Sequence, residues 1–225
     1  SVSANFFETN NFLGFLTETS SPLNFKSLLN LLSTVVPSSL AIVFINSFIS
    51  DKQLFCGSGH NLEGKWAHGE YIGGRPYTPP DGWIGFGLNV LNKYDNGNND
   101  WLAYNGNKNE WAVAYHGIGT KLGSEFTLEK ATASIIAGGF KPGIGQVYEN
   151  ANDDNHPGQK IGKGVYCSPD PKVMESYASS FKSSTSINGK KYMMGFMMRV
   201  KPDKIRYSNS QKNYWILDGT TEQMR

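Results

Sequence analysis

Residues 158–178 read GQKIGKGVYCSPDPKVMESYA, and the fold is decided there. Gly162-Lys163-Gly164 leads into Val165-Tyr166-Cys167, a short run in which Tyr166 reads as a strand residue. Ser168-Pro169-Asp170-Pro171 then ends the strand and begins a helix, since Asp170 can cap it and Pro171 suits its first turn. Val173, Met174, Tyr177, Ala178 and Phe181 follow at helical spacing and make one buried face. A strand tyrosine and a helix tyrosine, Tyr166 and Tyr177, thus stand eleven residues apart across a strand-to-helix turn.

Upstream, Leu128, Ala131, Ala133, Ile135 and Ile136 approximate a second helical stripe, stopped by Gly138-Gly139. Before it lie short apolar runs with turn signals between them. Trp83–Val90 ends before the turn cluster Asp95–Asn99. Trp101–Tyr104 precedes Asn105-Gly106, and Trp111–His116 follows, a hairpin-like arrangement. Downstream, Asn188-Gly189 signals a turn, and Tyr192–Val200 and Tyr214–Leu217 read as late strands. Strands dominate and two helices are inserted, so the body is expected to be α+β.

The first part of the chain differs. Phe25, Leu28, Leu29 and Leu32 fall on one helical face, and Pro37 breaks the pattern before the apolar run 40–49 (LAIVFINSFI). Residues 57–80 are rich in Gly and Pro and read as loop and boundary. The expected organisation is a helical or irregular extension over 1–75, packing on a body at 76–225. The alternative for the extension is an amphipathic helix that binds a partner.

A chain of 225 residues suits this plan, and its 25 glycines favour a body rich in turns and strands. The net charge is +2 with no basic block, which gives no electrostatic footprint for nucleic acid. Two cysteines, Cys56 and Cys167, make no disulfide framework, and a reducing intracellular setting, cytoplasmic or nuclear, is expected. The run 40–49 is too short to span a bilayer, and Ser1–Asn11 has no positively charged start. Neither a membrane partner nor a visible signal peptide is expected.

Taken with Tyr115-His116-Gly117 and the helix ending IIAGGF, the stretch at 158–178 resembles the catalytic core of PARP-like ADP-ribosyltransferases. In that family a strand ends in His-Gly, a helix leads to a Gly-Phe or Gly-Leu turn, Gly-x-Gly-[Ile/Val]-Tyr follows, and the next helix carries a second tyrosine eleven residues on. The likeness covers about 111–218, roughly half the chain. The segments PPDGW at 79–83 and WAVAYHG at 111–117 are similar to a branch found in eukaryotic microbes. The resemblance implies two packed, mainly antiparallel sheets with a few helices. It also implies NAD⁺ as substrate and a site of His116, Gly117, Tyr166 and Tyr177, with no metal.

The chemistry suits those residues. Nicotinamide in NAD⁺ is a flat cationic ring, and two tyrosine faces can clamp it by stacking and cation–π attraction. Gly117 would let backbone groups approach the carboxamide, and His116 would hold the adenosine ribose and so orient the dinucleotide. The family's catalytic Glu precedes a strand that here reads Tyr214-Trp215-Ile216-Leu217-Asp218, so its position falls on Asn213. Asn can hydrogen-bond a hydroxyl but supplies no negative charge. Gln211, by a slip of register, and Glu222, from the tail, are the other candidates. Met174 stands where the family often has a small hydroxyl residue.

Other readings carry less. Gly162-Lys163-Gly164 lacks the Gly-Lys-[Ser/Thr] ending of a phosphate loop. Cys56, His60 and His68 fit no zinc spacing. Cys167 reads as a buried small side chain, and His156 as a loop residue that could border the acceptor site. The expected activity is mono-ADP-ribosyl transfer to a protein acceptor, a nucleic-acid end being the second acceptor class. The rivals are a catalytically silent NAD⁺ or ADP-ribose binder and a NAD⁺ glycohydrolase.

Overall fold

The computed structural model describes residues 62–63, 70–85, 88, 90–119, 128–143, 148–180, 185–187, 190–211 and 213–225. The expected helix around 25–32, the run at 40–49, the Cys56/His60/His68 set and the Asn188-Gly189 turn lie outside them. Ten short strands are described: β1 (Leu62–Glu63), β2 (Tyr71–Ile72), β3 (Arg75–Pro76), β4 (Ile84–Gly85), β5 (Ala112–Gly117), β6 (Val165–Cys167), β7 (Thr185–Ile187), β8 (Lys190–Tyr192), β9 (Gly195–Val200) and β10 (Trp215–Leu217). Two helices, α1 (Leu128–Gly138) and α2 (Pro171–Ser180), complete a mixed structure whose strand pairs are antiparallel. No helix among the described residues is long and apolar enough to cross a membrane.

β5 is the strand on which the rest is built. It pairs with β9 over six residues, from Ala112↔Val200 to Gly117↔Gly195. On its other edge Tyr115 and Ser168 exchange two backbone hydrogen bonds of 2.7 and 2.9 Å, and Ser168 directly follows β6. β6 pairs in turn with β10, with Tyr166 opposite Ile216. The Tyr115–Ser168 bridge therefore ties the β5–β9 pair to the β6–β10 pair.

Because side chains alternate along a strand, β5 separates two cores. Ala112 and Ala114 face one, with Phe196, Met198 and Val200 from β9 and Leu128, Ala131 and Ile136 from α1. Val113 and Tyr115 face the other, with Ile72, Tyr77, Trp83 and the buried α2 residues Met174 and Ala178. The 75/76 boundary expected from sequence falls inside β3, and the β2–β3 hairpin contacts β5. The packed body therefore includes residues before Arg75.

One expected strand is absent. Trp101–Tyr104 opens with a 3-10 turn, Asp100–Leu102, and the bond from the Trp111 N–H to the Trp101 carbonyl stands in place of a strand ladder. The buried carboxylate of Glu110 explains this. It accepts the backbone N–H groups of Asn105, Gly106 and Gly73, so these donors are satisfied outside any ladder. Trp101 is strand-like in composition but is buried as an anchor.

Candidate functional site

β5, β6 and α2 meet at one cleft. Its cavity volume is ≈ 60 Å³, and its lining includes His116, Gly117, Tyr166, Met174, Tyr177 and Tyr214. All four residues expected to bind the nucleotide are thus brought together. The His116 ring lies edge-on to Phe140 at 5.1 Å, and Phe140 belongs to the Gly-Phe turn that follows α1. His116 and Tyr166 also line a second cavity of ≈ 320 Å³, which extends along α1 to Phe140 and Lys141.

Hydrogen bonding fixes the form of His116. Its Nδ1 lies 2.7 Å from the carbonyl oxygen of Tyr166. A carbonyl can only accept, so Nδ1 carries the hydrogen and neutral His116 keeps Nε2 as an acceptor. Burial of the ring pushes its pKa below the ordinary histidine value, which outweighs the opposing effect of that carbonyl. At neutral pH the residue is an uncharged acceptor on a fixed strand.

Gly117 has a packing reason that its sequence neighbours do not show. A Cβ there would fall on the main-chain carbonyl of Met174, with Tyr177 Cβ 3.1 Å away, so the glycine lets α2 lie directly on β5. Its register partner Gly195 is just as crowded, by the Met174 side chain. Met174, where a small hydroxyl residue was expected, is fully buried and lies over this glycine pair. Gly164 is required in the same way, since a Cβ would meet Ile216 and the carbonyl of Leu217 in β10.

Two tyrosines join the expected pair. Tyr148 and Tyr214 pack with centroids 5.6 Å apart, and each also contacts Tyr166, at 6.1 and 6.5 Å. Tyr214 lies edge-on to Tyr177 at 6.3 Å and is its hydroxyl's hydrogen-bond partner. Burial, then that hydrogen bond, pushes the Tyr177 hydroxyl up to about 12, although the residue is 41% exposed. The Tyr166 hydroxyl is also raised, chiefly by burial, and accepts the backbone N–H of Tyr148 at 3.2 Å. Tyr148 had no sequence signal, and Tyr214 read only as the start of a strand.

The candidates for the missing carboxylate do not enter the cleft. Asn213 is exposed in the turn before β10, and its neighbour Tyr214 is the residue that lines the site. Gln211 ends the 3-10 turn Asn209–Gln211 and is absent from the lining. Glu222 lines a separate cleft beside Asp95 and Arg225. Cys167 is buried and inert, its thiol pKa raised by burial. His156 is a latch between loops: Nδ1 lies 2.7 Å from the Asp153 carboxylate and Nε2 lies 3.0 Å from the Asp203 carbonyl. No metal-binding group of His, Cys, Asp and Glu occurs among the described residues.

Comparison of the chain with protein-family models, curated proteins and solved structures gave no match.

Proposed function

We propose that this chain is a mono-ADP-ribosyltransferase of PARP-like fold that cleaves NAD⁺ at the nicotinamide–ribose bond and passes ADP-ribose to a protein acceptor. The observation that carries this reading is the convergence of Tyr166, Tyr177, Tyr214 and His116 on one cleft, with no Lys or Arg among the described residues of its lining. Electron-rich rings with no cation of their own suit a flat cationic ligand such as nicotinamide in NAD⁺. The adjoining cavity beside Phe140 and Lys141 offers room for the adenosine half. His116, with Nε2 free to accept, suits a ribose hydroxyl.

A second reading rests on a specific observation: among the described residues, neither cavity is lined by Asp or Glu, and Asn213 is absent from both linings. This favours a silent NAD⁺ or ADP-ribose binder, in which the same cleft recognises the ligand without breaking it.

Incubation of the chain with NAD⁺ labelled in its adenylate, with and without acceptor protein, separates these. Label on protein together with free nicotinamide is the expected result. Nicotinamide without label on protein indicates a glycohydrolase, and binding without nicotinamide release indicates the silent binder. Tyr177→Ala is expected to weaken NAD⁺ about tenfold or more, since one stacking and cation–π wall is removed. Unchanged NAD⁺ affinity in that variant would refute the clamp.

A further inference from the structure

Both ring nitrogens of His156 face oxygens that can only accept. Nδ1 lies 2.7 Å from a carboxylate oxygen of Asp153, and Nε2 lies 3.0 Å from the main-chain carbonyl of Asp203. A neutral imidazole has one N–H, so it satisfies one of these contacts and turns a lone pair on the other. Only the doubly protonated imidazolium makes both. The burial of Asp153 argues the same way. Its side chain is shut from solvent while that of His156 is 30% exposed, and a buried carboxylate calls for a cation in contact with it. The other carboxylate oxygen of Asp153 accepts the backbone N–H of Asn155 at 3.0 Å.

The ring joins two separate stretches of chain. Residues 149–163 form a loop that folds back on itself, the N–H groups of Ile161 and Gly162 donating to the carbonyls of Ala151 and Glu149. This loop directly follows Tyr148, whose ring packs on Tyr166 and Tyr214. Asp203 belongs to the 3-10 turn Pro202–Lys204 that follows β9. From β3, Arg75 reaches across the join and donates to Asn155 Oδ1 and to the Pro202 carbonyl, at 3.2 and 3.0 Å. Lys204 lies 3.9 Å from the Asp203 carboxylate, and Arg206 is a second cation within reach of Asp153. The hydrogen bond to Asp153, and after it the one to the Asp203 carbonyl, hold the His156 pKa above the ordinary histidine value, against smaller opposing effects of burial and Lys204.

We infer that His156 is a proton-operated latch between the 149–163 loop and the Pro202–Lys204 turn, shut while the ring carries both protons and released at its Asp203 end when one leaves. The proton that stays is the one on Nδ1, because a buried carboxylate is the stronger acceptor. Nε2 then turns its lone pair on the Asp203 carbonyl, and the tip of the loop comes free of the turn. The direction follows from the raised pKa: the latch is fully shut below pH 6.5 and opens as pH rises through the folded value.

The test combines ring-nitrogen NMR titration with amide hydrogen exchange, on the full chain and on His156→Gln and Asp153→Asn. Below pH 6.5 both His156 nitrogens should carry a proton, with a midpoint above 6.5. Asp153→Asn should lower that midpoint, since an amide oxygen accepts without a negative charge. The Gln159 N–H donates to the His156 carbonyl at 3.1 Å and reports on the tip. Below pH 6.5 it should exchange about threefold more slowly in the wild type than in His156→Gln, the effect of one partly exposed ion pair on local opening. The ratio should fall to one as pH passes the wild-type midpoint, while amides of β5 exchange alike in both proteins. A singly protonated ring below pH 6.5, or a midpoint at or below that value, overturns the inference. So does a Gln159 exchange ratio that is the same at every pH, which would mean a charged histidine that closes nothing.

Discussion

Two of the aromatic clusters differ in one respect: among the described residues, only one carries its own cation. At the first, the Arg225 guanidinium lies over Tyr94, Trp101 and Trp111 with centroid distances of 4.5, 5.3 and 4.4 Å, and it forms two hydrogen bonds to the Asp95 carboxylate. This cage is filled from within the chain, and Trp101 is almost fully buried in it. At the second, Tyr148, Tyr166, Tyr177 and Tyr214 gather with no cation among the described lining residues, and Tyr177 remains 41% exposed. The same ring chemistry serves structure where an internal cation completes it. On the proposed reading it serves recognition, with the completing charge supplied by a ligand.

Removing the internal cation should have the largest effect. Arg225→Ala is expected to cost about 3 kcal/mol of stability, since it strips a buried charge from three rings and a carboxylate. Urea denaturation measures this, and NAD⁺ affinity should stay within about twofold. A comparable loss of affinity would show that the two clusters are coupled and break the contrast.

Next come the glycines that set the tyrosine cluster's geometry. Gly117→Ala should cost about 2 kcal/mol by overpacking, and Met174→Ala should not relieve it, because the obstacle is the Met174 main-chain carbonyl. Gly195→Ala meets the flexible end of the Met174 side chain, so there the same second substitution should give a clear favourable coupling. A double-mutant cycle with the opposite pattern would mean that α2 does not rest on Gly117.

Smallest are two opposed pH effects. Asp153 raises the pKa of His156, so its stabilisation is complete below the unfolded value of 6.5 and is lost as pH rises through the folded pKa. His116 is lowered by burial, so its cost appears only as pH falls below 6.5, where the unfolded chain takes up the proton. The His156 effect should be under about 1 kcal/mol, as for other solvent-facing ion pairs. His156→Asn should flatten the stability curve above pH 6.5, and His116→Asn on the acid side. Identical curves for the two variants would remove the contrast between the paired and the desolvated ring.

The sequence made some of this legible and hid the rest for identifiable reasons. Local signals placed β6, α2 and β9, because turn residues and helical or strand spacing act over a few residues. They also placed His116 and Gly117 at a strand end, and Tyr166 and Tyr177 across a strand-to-helix turn. Tyr148 and Tyr214 were not legible as partners, since a loop and a distant strand meet only through the β6–β10 pairing. The fit of Met174 to Gly195 was hidden likewise, as the two touch only once α2 lies on the sheet. Trp101 misled because its burial comes from a 3-10 turn closed by Glu110. Around Arg75, Gly and Pro mark the β2–β3 hairpin as readily as they would a linker.

The long reach of β5 bears on how this protein is made. His116 needs β9 as its register partner, and Arg199 of β9 donates to the Trp111 carbonyl from 88 residues further along the chain. A ribosome-bound chain that has just released α2 already carries His116, Tyr166 and Tyr177 but has neither β9 nor β10 to hold them. Until those strands emerge, β5 exposes an unpaired apolar edge, which makes the nascent chain a natural client for chaperones. The tyrosine cleft therefore forms only after β9 and β10 have left the ribosome.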